Sequence, residues 1–315
     1  MSSDAPAAPR QGAEPAPGVV KDRPGRRRLR QRLAPYVFLL VPLTLLIVLT
    51  YIPVVNMFYY SLTDWDGLDK TKNLVGLDNY LAVFTDPDNL RVFFVSLYYF
   101  AGSFVQMGLA LYFATILSFN VRFKNMWKGV LFFPYLINGV AIGLIFLNFV
   151  QPGGGLDATL TALGLEEFIR QWTGDPDVIN FTLATVSVWR YMGLNLVMFL
   201  GAIASIPGEI YEAAAIDGAN RWNQFRHIIL PSIRSILGLS FILAISGALS
   251  VFEIPYVMTN GGNGSETFVI RTVKMAFENG KVGLASAMAV ILLVVVLLVT
   301  WLQRTLVPEE EVNLT

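Results

Sequence analysis

Cysteine is absent from the 315 residues, and histidine occurs once, at His227. The first absence excludes disulfides, thiolate metal sites and a cysteine nucleophile; the second argues against a histidine-based metal or acid–base centre. Also missing are a Gly-x-x-x-x-Gly-Lys-Ser/Thr phosphate loop, a His-Glu-x-x-His pair and a Gly-x-Ser-x-Gly elbow. The chain therefore carries no signature for hydrolysing ATP itself, nor for zinc-protease or serine-hydrolase chemistry. Charge is scarce as well. Only 15% of residues are charged, where a soluble domain carries about a quarter. With 54% hydrophobic residues and a mean hydropathy of +0.55, the composition fits an all-α polytopic membrane protein. The net charge of zero hides a segregation of signs along the chain and carries no message about nucleic acid.

What is present are apolar runs. A helix needs about 20 residues to cross roughly 30 Å of hydrocarbon. Six runs are long enough, at about 35–60, 92–118, 129–150, 181–204, 236–257 and 283–303. Pro42 and Pro53 are expected to kink the first span and Pro134 the third. Small residues recur at four-residue spacing: Gly139 and Gly143, Ser240, Ala244 and Ala248, Ala285 and Ala289. Helices in lipid associate through such faces, and packing accounts for these stripes. Ahead of the spans, residues 1–32 read as a disordered tail ending in a basic cluster, Lys21, Arg23, Arg26, Arg27, Arg28, Arg30 and Arg32. The apolar run after it, about 25 residues, exceeds the roughly 7–15 of a cleavable signal peptide, so it is taken as an uncleaved span. Domain limits follow: 1–32 tail, 33–305 six-span domain, 306–315 second short tail.

Lys and Arg placement sets the orientation. The N-terminal tail, the 119–128 loop (Arg122, Lys124, Lys128) and the 205–235 loop (Arg221, Arg226, Arg234) are basic. The 61–90 segment carries Asp64, Asp66, Asp69, Asp78, Asp86 and Asp88, and the 151–180 segment Asp157, Glu166, Glu167, Asp175 and Asp177. Both termini and the 205–235 loop are expected in the cytoplasm, with a multi-pass chain in the inner membrane. Outside, Leu160, Leu163, Phe168 and Ile169 suggest a short surface helix; 258–264 reads as a turn before a helix carrying Phe268, Ile270, Val273 and Phe277.

Between the fourth and fifth runs lies a polar island, 209–231, that reads as two short helices and a turn. Pro207 suits a first helical position, and Glu209 and Glu212 place negative charge where the helix dipole favours it. Asp217-Gly218 is a stop-and-turn signal, since Gly reaches left-handed angles without steric cost. Trp222, Phe225, Ile228 and Ile229 are the apolar positions of the second piece, which Pro231 is expected to end. Ala213, Ala214 and Ala215 form a face with little bulk, able to lie deep in another protein's groove. A connecting interfacial helix would have the same look.

Glu212-Ala213-Ala214, Gly218 six positions after Glu212, then Ile228, Leu230 and Pro231, resemble the EAA loop of the membrane subunits of ATP-binding-cassette (ABC) importers. Ile206-Pro207-Gly208-Glu209-Ile210-Tyr211 and Asp217-Gly218-Ala219 are similar to the sugar-permease branch that contains the first maltose permease subunit. Trp189-Arg190-Tyr191 and Thr259-Asn-Gly-Gly262 match that branch too, although Asn263 stands where it usually has Pro. The resemblance spans about residues 35–305. It implies a binding-protein-dependent permease subunit working by alternating access, with a second permease subunit, two ABC ATPases and an extracytoplasmic sugar-binding protein as partners. It further implies no cofactor in this chain, ATP and Mg being bound by the ATPases, and a coupling loop at 206–234. Glu212, Ala213, Ala214, Asp217, Gly218, Leu230 and Pro231 would make the ATPase contact. The chain would be a transport subunit, not an enzyme.

A sugar is held by hydrogen bonds and aromatic faces in a water-excluding pocket, and polar residues inside spans are costly unless they face a cavity or a partner helix. Such residues are Asn138 and Asn148 in the third span, Ser187, Tyr191 and Asn195 on one face of the fourth, and Ser246, Ser250 and Glu253 in the fifth. Helix–helix hydrogen bonding is the alternative role for each. Arg190 and Glu253 fit a structural ion pair, or snorkelling of Arg190, ahead of direct ligand contact. The resemblance places the path among spans three to five. Rival readings are an ABC permease for another solute (glycerol phosphate, polyamine or phosphate) and an ion-coupled secondary transporter, for which Glu253 alone offers a membrane-embedded acid.

Overall fold

The computed structural model describes residues 24–119 and 121–306, with side chains from residue 35. The parts of both expected tails at 1–23 and 307–315 lie outside the described residues. Two units are distinguished, one up to Val55 and one from Asn56, and each is described by itself. The first holds α1 (Pro24–Leu46), a π turn (Ile47–Tyr51) and the opening of α2 (Ile52–Tyr60). Helix α1 starts at Pro24, ahead of the composition boundary at residue 33, and runs through Pro42 without interruption. The disturbance comes before Pro53. A proline ring clashes with the carbonyl four residues back, here that of Leu49. The π turn spans that residue and widens the helix there.

The second unit opens with a short hairpin-like segment bridged at Thr63 and Leu74, then α3 (Asp78–Thr85) and α4 (Pro87–Ser118). Asp86 caps α4 by accepting from the Asp88 amide, with Pro87 behind it at the first helical position. There follow α5 (Lys124–Leu136), α6 (Gly139–Val150), α7 (Gly155–Ala162) and α8 (Ile179–Ala204). Three pieces of the polar island come next: α9 (Gly208–Ile216), α10 (Arg221–Gln224) and α11 (Leu230–Ser232). The chain ends with α12 (Arg234–Leu249), α13 (Glu253–Thr259), α14 (Phe268–Phe277) and α15 (Val282–Leu306). The fold is all-α.

Five stretches among the described residues are long and apolar enough to span a membrane: 35–60, 87–118, 179–204, 234–259 and 282–305. The third expected span departs from a kinked rod. Its two halves, α5 and α6, meet at 97°. Pro134 weakens the ladder, but α5 continues to Leu136, and the break falls where Ile137 turns extended. The Asn138 side chain then accepts from the Val140 amide and starts α6 as a new helix. The fifth span is also interrupted, at 250–252 between α12 and α13.

Helices α4 and α8 form the central pair. Leu183, Leu196 and Phe199 of α8 and Ala110 and Ala114 of α4 are completely buried. Gly102 permits the approach, as a Cβ there would stand 3.2 Å from Val188. Gly193 does the same for α5, since its Cβ would lie 2.9 Å from the Leu131 carbonyl. Gly143 packs α6 on α13 through Val257. So the glycines of the third span serve packing, while Ser240, Ala244 and Ala248 also face a cavity described below.

The loops expected outside the membrane are tied down by polar side-chain contacts. Asp157 accepts from the Trp172 indole (2.9 Å) and the Gly153 amide (2.8 Å). Asn263, at φ 53°, donates to the Thr173 carbonyl. Arg271 of α14 donates to Asn89 of α4 (2.7 Å) and pairs with Glu266.

Candidate functional site

A cavity of about 480 Å³ lies between α4, α8 and the α12–α13 junction, within the usual range for a small-molecule pocket. Its walls follow helical spacing. Helix α4 contributes Tyr99, Gly102, Ser103 and Gln106; α8 contributes Ser187, Tyr191 and Asn195. The first set stands at i, i+3, i+4 and i+7 and the second at i, i+4 and i+8, spacings that each keep to one helix face. The third wall is Ser240, Ala244 and Gly247 of α12, with Ser250 and Glu253 at the break. Tyr99 and Ser240 are buried, and neither hydroxyl oxygen has a hydrogen-bond partner among the described residues. Buried polar groups are seldom left so, and in a cavity wall such groups are free to bond a guest.

Of the residues singled out from the sequence, the fold gathers Ser187, Tyr191, Asn195, Ser250 and Glu253 around this space. Asn138 and Asn148 are not in its wall. The first caps α6, and the second donates to the Leu144 carbonyl of its own helix. Ser246 is not in the wall either, and the third span contributes no lining residue, its place being taken by α4. Tyr99, Ser103 and Gln106 were legible only as polar positions at helical spacing in the second span; no sequence motif marks them.

Arg190 and Glu253 form an ion pair at 2.7 Å at the edge of the cavity. Arg190 is 11% exposed and Glu253 49%, so the guanidinium depends on the carboxylate more than the reverse. The same guanidinium donates to the Tyr191 hydroxyl (3.1 Å) and lies over its ring. Gly139, first residue of α6, is pressed against both charged groups, with no space for a Cβ. The pair therefore ties α8 to α13 at the point where the third span is broken.

The second feature is the polar island. Helix α9 has no buried residue; Glu212, Ala213 and Ala215 are exposed, and Ile216 is 87% exposed. Pro207 sits just before the helix, in the capping position instead of the first turn. Asp217 closes α9, and Gly218 follows at φ 80°. The Ala219 amide donates to Ala214 and the Gly218 amide to Ala215, a Schellman end that needs a left-handed residue at Gly218. Asn220 then caps α10 by accepting from the Asn223 amide. Trp222 and Phe225 stack at the surface, while Ile229 and Ile233 are fully buried and anchor the island. Pro231 does not end the second piece. Residues Phe225–Ile229 take a π turn, and the helix passes through the proline to Ser232. The device is the one seen before Pro53: the widened turn spans the residue four back, His227.

A family model described as "Binding-protein-dependent transport system inner membrane component" matches residues 106–311. The chain belongs to that family. The match runs from the second half of α4 through α15, the polar island included. This inner-membrane component is 32% identical over 314 residues to the diacetylchitobiose uptake system permease protein NgcF of Streptomyces coelicolor, covering 94% of this chain and 89% of that one. It is 29% identical over 289 residues to the multiple sugar-binding transport system permease protein MsmF of Streptococcus mutans, covering 91% and 99%. Its fold matches a chain in the crystal structure of a bacterial ABC transporter involved in alginate import, with a TM-score of 0.78 at 17% identity, over 90% of this chain and 98% of that one. The inner-membrane component is thus a multi-pass transport subunit.

Proposed function

We propose that this inner-membrane component is one of two membrane subunits of an ATP-driven importer for a neutral sugar, a di- or oligosaccharide. The observation that carries the substrate class is the 480 Å³ cavity with hydroxyl and amide groups on three helices. Ser, Asn, Gln and Tyr groups match sugar hydroxyls as donors and acceptors, and Tyr99 and Tyr191 offer ring faces to C–H surfaces. Glu253, the one charged residue in that wall, is already engaged by Arg190. No unpaired charge is thus on offer to an acidic or cationic solute, nor a free acid for ion coupling. NgcF and MsmF, named for sugar uptake, support the reading.

In this scheme the polar island is the handle. Both termini and the 205–235 loop face the cytoplasm, where two ATPases bind ATP and Mg and close on each other. Glu212, Ala213, Ala214, Asp217 and Gly218 enter an ATPase groove. Leu230 and Pro231 carry the movement into α12, through the anchors Ile229 and Ile233. The spans tilt as rigid bodies and open the cavity alternately to each side, after an external binding protein has delivered the sugar. The test is uptake of labelled disaccharides into proteoliposomes holding the full complex and its binding protein. Uptake should require ATP and fall at least about tenfold for Asn195→Leu, since a lost hydrogen bond to a polar ligand leaves a desolvated group behind. Uptake driven by an ion gradient without ATP would reject the scheme.

A further inference from the structure

A second recess, of about 310 Å³, lies behind α9, and its chemistry differs from that of the first. Lys124 and Lys128 line it, four residues apart on one face of α5, both half-buried. Tyr211 of α9 and Gln224 of α10 close it, against Ser118 and Phe119 at the end of α4. No Asp or Glu is in the wall, and among the described residues neither lysine has a carboxylate partner. Lys124 donates to the Ser118 carbonyl at 3.4 Å, which occupies one of its three donors. The Tyr211 hydroxyl oxygen is buried with no hydrogen-bond partner among the described residues, and burial pushes its pKa up, keeping it a donor.

The two lysines sit at the wrong end of their helix. Lys124 opens α5, whose start has no side-chain cap. Positive charge at a helix N-terminus is the disfavoured sign, and like charges four apart repel. An anion between them reverses both terms. Arg221, lying over the Phe119 ring, adds a third cation at the rim. The recess has room for about ten waters, more than a bare oxyanion needs.

We infer that this recess binds a phosphate group, held by Lys124, Lys128 and the Tyr211 hydroxyl, with space left for the group's substituent. The source is either an anionic phospholipid of the adjoining leaflet or a soluble phosphate. In both cases the ligand joins α5 to α9 and α10, so its occupancy bears on the segment that meets the motor. That consequence rests on the function proposed above; the binding does not.

The test uses the full complex in nanodiscs, with no transport step, so its failure is separable from failure of the importer scheme. In phosphatidylcholine discs, inorganic phosphate is titrated by calorimetry. In discs containing phosphatidic acid, native mass spectrometry counts retained lipid. Saturable binding in the first arm assigns a soluble ligand, and selective lipid retention in the second assigns the headgroup. In whichever arm the wild type binds, Lys124→Gln/Lys128→Gln should weaken it at least about tenfold and Tyr211→Phe about threefold, as expected for charge-assisted and neutral hydrogen bonds. Lys128→Gln alone, with rescue by Lys128→Arg, serves if the double variant fails to assemble. Absence of binding in both arms, or equal binding by wild type and Lys variants, overturns the inference.

Discussion

Gly139→Ala probes the joint between the broken third span and the cavity. A Cβ at 139 has no free volume: it runs into the Glu253 carboxylate and the Arg190 guanidinium. Either the 2.7 Å pair separates or α6 shifts. Removing one partner of a buried pair costs about 3–5 kcal/mol. Glu253 is 49% exposed, so water replaces part of the lost contact, and about 1–2 kcal/mol is the fitting range. Steric displacement of packed neighbours by a methyl adds roughly 1 kcal/mol, giving a total of about 2–3 kcal/mol. Thermal or denaturant unfolding of the detergent-solubilised subunit measures this. The discriminating experiment is a double-mutant cycle with Glu253→Ala. If the methyl acts by prising the pair apart, its cost should fall to roughly 1 kcal/mol once the carboxylate is gone, a coupling of about 1–2 kcal/mol. Full additivity of the two costs would show that Gly139 has no energetic link with the pair, and the account of the joint would be wrong.

Three further outcomes follow from the same structure. Asp157→Asn should loosen the 151–180 loop by about 1–3 kcal/mol, because the Trp172 indole and Gly153 amide lose a charged acceptor; faster amide exchange at 153–172, with the spans unchanged, is the readout. Gly193→Ala should cost about 1–3 kcal/mol through its contact with the Leu131 carbonyl, whereas Gly201→Ala, with open space around it, should be tolerated within about 0.5 kcal/mol in a melting series. Asp64 is held below the ordinary carboxylate range, first by the Asn73 side chain and then by the Asn73 amide. A depressed folded value means that the contact is fully present above the unfolded pKa of about 3.9 and is lost as pH falls through the folded value. NMR titration should therefore show the 64–73 segment loosening only in that acid window, and Asn73→Ala, which removes the side-chain donor and keeps the backbone amide, should move Asp64 part of the way back toward the ordinary range.

How much of this was legible beforehand follows from the period of the signal. The spans announce themselves because apolar length is a local property of the chain, and the four-residue spacing of Ser187, Tyr191 and Asn195 by itself puts them on one face. Which face meets which helix is not local. Nothing in 92–118 marks α4 as the cavity's second wall, with Tyr99, Ser103 and Gln106 in it, and nothing local to Asn138 shows that its side chain caps α6 outside that wall. The turn at Gly218 was readable from residue chemistry alone, as was a pairing of Arg190 with Glu253. Proline was the least faithful guide. Pro134 breaks the span three residues late, and Pro231 is absorbed by a π turn, because the helix can widen around a missing amide when burial of Ile229 and Ile233 holds both sides in place.

The central claim is that the α9–Gly218 segment is gripped by a motor, and Gly218→Val in the reconstituted complex tests it most directly. A Cβ at 218 meets nothing within 4 Å in this chain, so the variant strains only the backbone, by about 1–2 kcal/mol. It should insert and melt almost as the wild type does while losing both ATP-dependent sugar uptake and co-purification of the ATPases. Normal uptake with the ATPases still bound would contradict the claim.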